Sequence, residues 1–296
     1  MDTSFRTGIF MPLFYVIYLI GSLAISVAAF ILFPQNAIAV SQVATYFVLF
    51  GGALVLYTLP GRLSWKETLG LHRIPVSTAV LAFLLGFLIQ PVMLLISYLS
   101  QFIFRNFVTS SISEMLDMPL GLLLFLTAVL PAFFEEFLCR GLVLRGYRNY
   151  AGWIGILISA VFFALMHGNL QQCLYALAGG VIFGIMAYAA DSVWPAVIAH
   201  LTVNGSQILL AALLPSEGAQ EVVVGFSFID LGVYLILTLA TLPFAVLCLR
   251  KIYTSGKGSK APVAPPELPS LRMLWPFLLY VVLALGMCIA AEFLPI

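Results

Sequence analysis

The chain reads as an all-α protein, a polytopic transmembrane helical bundle of about eight to nine spans. Three observations carry that reading. Of 296 residues, 62% are hydrophobic and only 8% charged, whereas soluble domains run at about half and about a quarter. The apolar residues come in runs of about 20, the length a helix needs to cross a hydrocarbon layer about 30 Å thick. A backbone in lipid must also satisfy its own polar groups, which a helix does without a neighbour. Thirteen Lys and Arg against twelve Asp and Glu leave a formal charge of +1, so no basic surface for nucleic acid is available.

In chain order, spans are expected near 9–33, 37–59, 76–104, 119–148, 151–168, 170–190, 192–213, 229–252 and 271–293. The breaks are Pro34-Gln35-Asn36, Pro60-Gly61-Arg62, Arg105-Asn106, Asn149-Tyr150, Gly168-Asn169, Asp191-Ser192 and Pro215-Ser216-Glu217-Gly218. Glycine, proline and asparagine of this kind punctuate helices. Residues 254–270, rich in Gly, Lys, Ser and Pro, read as a flexible linker on the inner side. The first run is too long for a signal-peptide core and lacks a small-residue cleavage site, so it reads as a retained span. Residues 1–296 then form a single membrane domain.

Positive charge orients the map. With the N-terminus inside, the inner breaks collect Arg6, Arg62, Lys66, Arg73, Arg145, Arg148, Arg250, Lys251, Lys257, Lys260 and Arg272. The outer breaks hold Arg105 beside Glu114, Asp117, Glu217 and Glu221. The C-terminus then lies outside. Cys139, Cys173, Cys248 and Cys288 all fall within spans with no CxxC, and read as small buried apolar residues. Ala176, Gly180 and Gly184 read as a close-packing stripe. His72, between Gly70 and Arg73, reads as a solvated loop residue.

Chemistry enters with the ionisable residues inside the spans, where a charge costs roughly 2.5–3.5 kcal/mol even on lenient scales. The fourth span contains Pro131, Glu135, Glu136 and Arg140. Glu136 and Arg140, four apart, make a natural ion pair. Glu135 points about 100° away and is left without that partner, as a general base would be. Pro131 removes the backbone bond to Thr127 and kinks the helix, opening room for water. Counting from the turns, His167 lies at a depth near that of Glu135, and His200 and Asn204 share one face of the seventh span. Each feature alone has a plain structural reading: an ion-pair staple, a cross-helix histidine bond, a helix glue. Together they point to one wet pocket.

The set Glu135-Glu136-x-x-x-Arg140, Phe163-x-x-x-His167 and His200-x-x-x-Asn204 resembles the three-motif signature of the CPBP family, the CAAX prenyl endopeptidase and bacteriocin-processing (Abi) intramembrane proteases. The resemblance covers roughly residues 119–213, taken as the catalytic core helices. It implies a glutamate-type intramembrane endopeptidase with a cavity facing the inner side. Glu135 would activate water with help from His167, His200 and Asn204 would hold the oxyanion, and Glu136 with Arg140 would orient the site. It also implies a peptide or protein substrate, lipidated in the eukaryotic relatives. Low charge and compactness suggest a prokaryotic cell membrane. No cofactor is expected. Glu135, His167 and His200 would make an acceptable zinc set with a water in the fourth place, but there is no HExxH motif and the resemblance favours metal-free chemistry.

Asp2, Asp117, Asp191 and Asp230 lie at ends or in loops, and no GxSG serine occurs, so aspartyl and serine intramembrane protease readings fit poorly. Two other classes stay open: an ion- or proton-coupled membrane transporter, and a non-catalytic membrane scaffold. Oligomeric state is not legible in the sequence.

Overall fold

The computed structural model describes residues 3–60, 63–106, 115–150, 152–213, 227–256 and 268–293. Nine long helices run through them: α1 Thr3–Leu32, α2 Pro34–Thr58, α3 Val76–Ser100, α4 Leu120–Gly146, α5 Gly152–Met166, α6 Leu170–Ala190, α7 Trp194–Leu213, α8 Phe228–Ser255 and α9 Leu271–Phe293. Eight of these are long and apolar enough to cross a membrane. No strand occurs among the described residues. The protein is an integral membrane helical bundle.

Successive helices alternate in direction. At one end, Arg6 donates to the Tyr57 carbonyl and Arg145 pairs with Asp191 at 2.6 Å. At the other end, Gln171 Nε2 donates to Ser97 Oγ at 2.8 Å and the Arg105 amide to Glu292 at 3.0 Å. The first end also carries Lys66, Arg73, Arg148, Arg250, Lys251 and Arg272. Facing the surroundings, Leu23, Phe30, Leu56 and Leu239 are about two-thirds exposed or more. That is the expected coat of a bundle solvated by lipid.

Several boundaries differ from the sequence expectation, each for a local reason. Helix α1 begins at Thr3, because Ser4 and Thr7 are buried and Thr7 Oγ1 lies 2.8 Å from Tyr57 Oη. Helix α3 ends at Ser100, not at 104. Helix α5 holds 15 residues, about 22 Å of helix, which is shorter than a hydrocarbon layer. It stops at Met166, and Gly168 in the left-handed region (φ 74) turns the chain. Asn169 then caps α6, its side chain accepting from the Gln172 amide at 2.8 Å. Between α2 and α3 lies a short helix, Trp65–Leu69, with Ser64 as its N-cap and left-handed Gly70 as its C-cap. His72 is not a solvated loop residue: Nδ1 sits 2.7 Å from the Asp191 carbonyl and Nε2 3.4 Å from Glu67. It ties the short helix to the α6–α7 turn. Of the linker expected at 254–270, residues 254–255 belong to α8, and 257–267 lie outside the described residues.

Two large buried clusters make most of the interior, and a smaller one joins Ala132 to Val193 and Val197. One of the two large clusters joins α1, α2, α4, α5 and α9 through Phe14, Phe50, Leu138, Phe162 and Tyr280. The other joins α3, α6, α7 and α8 through Leu85, Phe183, Ala199 and Ala245. Their seam is α5 against α6, where the small-residue stripe lies as expected. A Cβ on Gly180 would stand 3.1 Å from the Cα of Ala160, and one on Gly184 3.1 Å from Ile156. Gly180→Val should therefore lower stability by about 1–3 kcal/mol, as overpacking does. Gly286, with nothing within 4 Å of its Cβ position, should accept alanine without loss. Thermal unfolding in detergent reads both.

Candidate active site

The site begins with an irregularity in α4. Pro131 has no amide hydrogen, and the Leu130 amide reaches back five residues to the Phe125 carbonyl. In that wider register the natural partner of the Leu126 carbonyl is Pro131. In the α-helical register Pro131 is also the natural partner of Thr127. Side chains from neighbouring helices take both carbonyls. Gln42 Nε2 of α2 donates to Leu126 at 3.1 Å, and Asn204 Nδ2 of α7 donates to Thr127 at 3.0 Å. Wide turns flank the acidic pair at Phe125–Val129 and Phe137–Val143, and a third, Thr45–Gly51, lies opposite in α2. Such turns recur at functional sites because they re-aim side chains inside an otherwise regular helix.

Glu136 and Arg140 form the expected ion pair, Nη1 to Oε1 at 2.8 Å, with both side chains fully buried. The same Oε1 accepts from His200 Nδ1 at 2.8 Å. Arg140 Nη2 donates to the Gly180 carbonyl at 3.0 Å, and its guanidinium lies 4.4 Å from the centre of the Phe163 ring. Phe163 also meets His167 and His200 edge-on, at 4.8 and 5.7 Å between centroids. The Phe163 ring thus separates the ion pair from the cavity and positions both imidazoles.

Hydrogen bonding fixes the histidine tautomers. His200 donates from Nδ1 to the Glu136 carboxylate, so Nε2 carries the lone pair and accepts from Asn204 Nδ2 at 3.2 Å. His167 donates from Nδ1 to the Phe163 carbonyl at 2.8 Å, leaving Nε2 for the cavity. Glu135, 8% exposed, accepts from the Tyr46 hydroxyl at 2.8 Å.

Glu135, His167, His200 and Asn204 all line one cavity of about 860 Å³, while Glu136 and Arg140 sit behind its wall. The cavity runs to Ile38, Gly168, Asn169, Ala211 and Ala291, at the ends of α5, α7 and α9 and the starts of α2 and α6. It therefore opens away from the end that holds Arg6 and Arg145. A cavity facing that cation-rich end, as the sequence led one to expect, is not what the fold provides. The short α5 is the reason: it stops before the opposite surface and leaves His167 near the mouth.

The sequence reading missed Tyr46, Tyr18 and Gln42. Tyrosines in an apolar span read as packing, and no spacing links residue 46 to residue 135. One signal was present: Ser41, Gln42 and Thr45 form a polar face on α2, and all three line the cavity.

Residues 117–206 match the family described as Rce1-like, type II CAAX prenyl endopeptidase. Every motif residue, from Glu135 through Asn204, falls within that stretch. That match is consistent with the resemblance of the three motifs to the CPBP family proteases. The match supports a CAAX-type intramembrane endopeptidase, a hydrolase, in general. The matched stretch begins beyond α1, α2 and α3, so Tyr46 and Gln42 lie outside it. No curated protein and no solved structure matches the chain.

Removing Arg140 would strand the Glu136 carboxylate, whose Oε2 already has no hydrogen-bond partner. Arg140→Met should cost about 3–5 kcal/mol. The double variant Glu136→Gln/Arg140→Met should recover part of that loss, because no unpaired charge remains. Unfolding midpoints of the two single variants and the double variant test the coupling.

Proposed function

We propose that the protein is an intramembrane endopeptidase in which Glu135 activates water, acting on membrane-associated or hydrophobic peptides that enter its cavity. The observation that carries this reading is the convergence of Glu135, His167, His200 and Asn204, from three stretches of chain, on one buried cavity. Amide hydrolysis needs an activated water and donors aimed at the developing negative charge.

Glu135 would take the proton of a water held by the free Nε2 of His167. The resulting hydroxide adds to the peptide carbonyl, and the proton passes to the leaving amine as the carbon–nitrogen bond breaks. Stabilisation of the oxyanion falls to Asn204 and His200. Asn204 contributes when the substrate oxygen replaces His200 Nε2 as acceptor of its second amide hydrogen. His200 contributes when its ring carries a second proton, a charge that Glu136 on Nδ1 would balance.

A metal-free mechanism fits this donor set better than a zinc site. Both nitrogens of His200 are engaged, Nδ1 with Glu136 and Nε2 with Asn204. Glu135 and His167 alone fall short of the three protein ligands of a catalytic zinc. Among the described residues, no group of three His, Cys, Asp or Glu side chains is placed to hold an ion. Stoichiometric zinc in the purified protein would overturn this part of the proposal.

The charge pattern places the N-terminus inside, so we propose that the cavity opens on the outer face of a prokaryotic cell membrane. Ser41→Cys, on the cavity wall, should then react with a membrane-impermeant thiol reagent applied to intact cells. Reaction only after lysis would reverse the orientation.

Comparing membrane and secreted peptides from cells carrying wild type or Glu135→Gln tests the activity. Cleavage should fall by about 10²–10⁴-fold, the loss expected when a positioned general base is removed, with folding and insertion unchanged. Wild type that moves protons or solute in liposomes and cleaves no peptide would favour a transporter.

A further inference from the structure

We propose that Tyr46 is a positioning residue for Glu135: its hydroxyl holds Oε1, favours the ionised carboxylate and turns Oε2 toward the cavity to receive the proton of water. The proposal deepens the reading of Glu135 as base and rests on it for the role of that proton.

Three observations support the assignment. Tyr46 Oη donates to Glu135 Oε1 at 2.8 Å, and both residues are buried yet line the cavity. Charge-assisted bonds of this kind are about twice as strong as neutral ones. The tyrosine is also built in rather than merely near. Its ring packs against Phe50 and Phe134 at 5.0 and 5.8 Å between centroids. One turn earlier, Gln42 docks on the Leu126 carbonyl, fixing α2 along α4 at the level where Tyr46 meets the carboxylate.

Finally, four other donors near the site are already committed. Arg140 serves Glu136 and Gly180, His200 serves Glu136, His167 Nδ1 serves Phe163, and Asn204 serves Thr127 and His200. The titratable and charged groups around Glu135 are Tyr46 from α2, Tyr18 from α1, His167 after α5, His200 from α7, and Glu136, Cys139 and Arg140 on its own helix. Of these, Tyr46 donates a hydrogen bond to Glu135.

The sign of the effect follows from which form is stabilised. A donor to the carboxylate favours the charged form, so losing the donor raises the pH at which Glu135 protonates. Tyr46→Phe keeps the ring and its packing and removes only the hydroxyl. The test reads the carboxylic-acid C=O band of Glu135 by infrared difference spectroscopy, assigned as the band lost in Glu135→Gln. The titration midpoint in Tyr46→Phe should rise by roughly one pH unit. The acid limb of peptide cleavage should rise with it, and the rate near neutrality should fall about 10-fold.

An unchanged midpoint overturns the proposal whatever happens to the rate, because a purely structural role would lower activity without moving the titration. Should Tyr46→Phe fail to fold, 3-fluorotyrosine at position 46 keeps the whole ring. Its more acidic hydroxyl should shift the midpoint downward, and no shift sinks the idea equally. If the midpoint moves as stated but Glu135→Gln cleaves as well as wild type, the glutamate mechanism fails and the role of Tyr46 in holding the carboxylate stands.

Discussion

The bundle depends on one buried carboxylate. Glu136 carries a charge into the centre of an apolar protein, and its Oε1 is shared by Arg140 and His200. Isolated, such a charge would cost several kcal/mol. Here the cost is offset by a network that reaches three helices: α4 itself, α6 through the Gly180 carbonyl and α7 through His200. Gly180 also lets α6 approach Ala160 of α5 closely enough for the guanidinium to reach its carbonyl. One electrostatic demand thus sets helix spacing, the choice of a residue without a side chain and the tautomer of a histidine.

Much of this was legible in the sequence. Eight of the nine spans follow from hydropathy alone, since a lipid-crossing helix must advertise its length in apolar residues. Glu136 and Arg140 were readable as a pair because four residues on a helix bring side chains together. His167, His200 and Asn204 were readable because turns fix depth. The length of α5 was not. The run 151–168, bounded by the Gly168-Asn169 break, reads as a full span, whereas the helix itself occupies only Gly152–Met166.

Tyr46 and His72 escaped for a different reason. Each acts through a partner far along the chain, Glu135 in one case and Asp191 in the other. Local periodicity carries no information about which helix lies opposite. The same limit applies to the pairing of His200 with Asn204. Their spacing puts them on one face, but only the Thr127 carbonyl, freed by Pro131, decides which way the amide points.

That proline has a mechanical corollary. The two carbonyls it releases sit side by side on α4, and each is gripped from a different direction, by Gln42 and by Asn204. Neighbouring helices can normally slip past one another by a turn, about 5.4 Å, and find an equivalent set of ridges. Here there is no equivalent set, because an ordinary turn offers no spare acceptor. The defect therefore works as a key cut at one level, and any opening of the bundle to admit a peptide must hinge around it rather than slide.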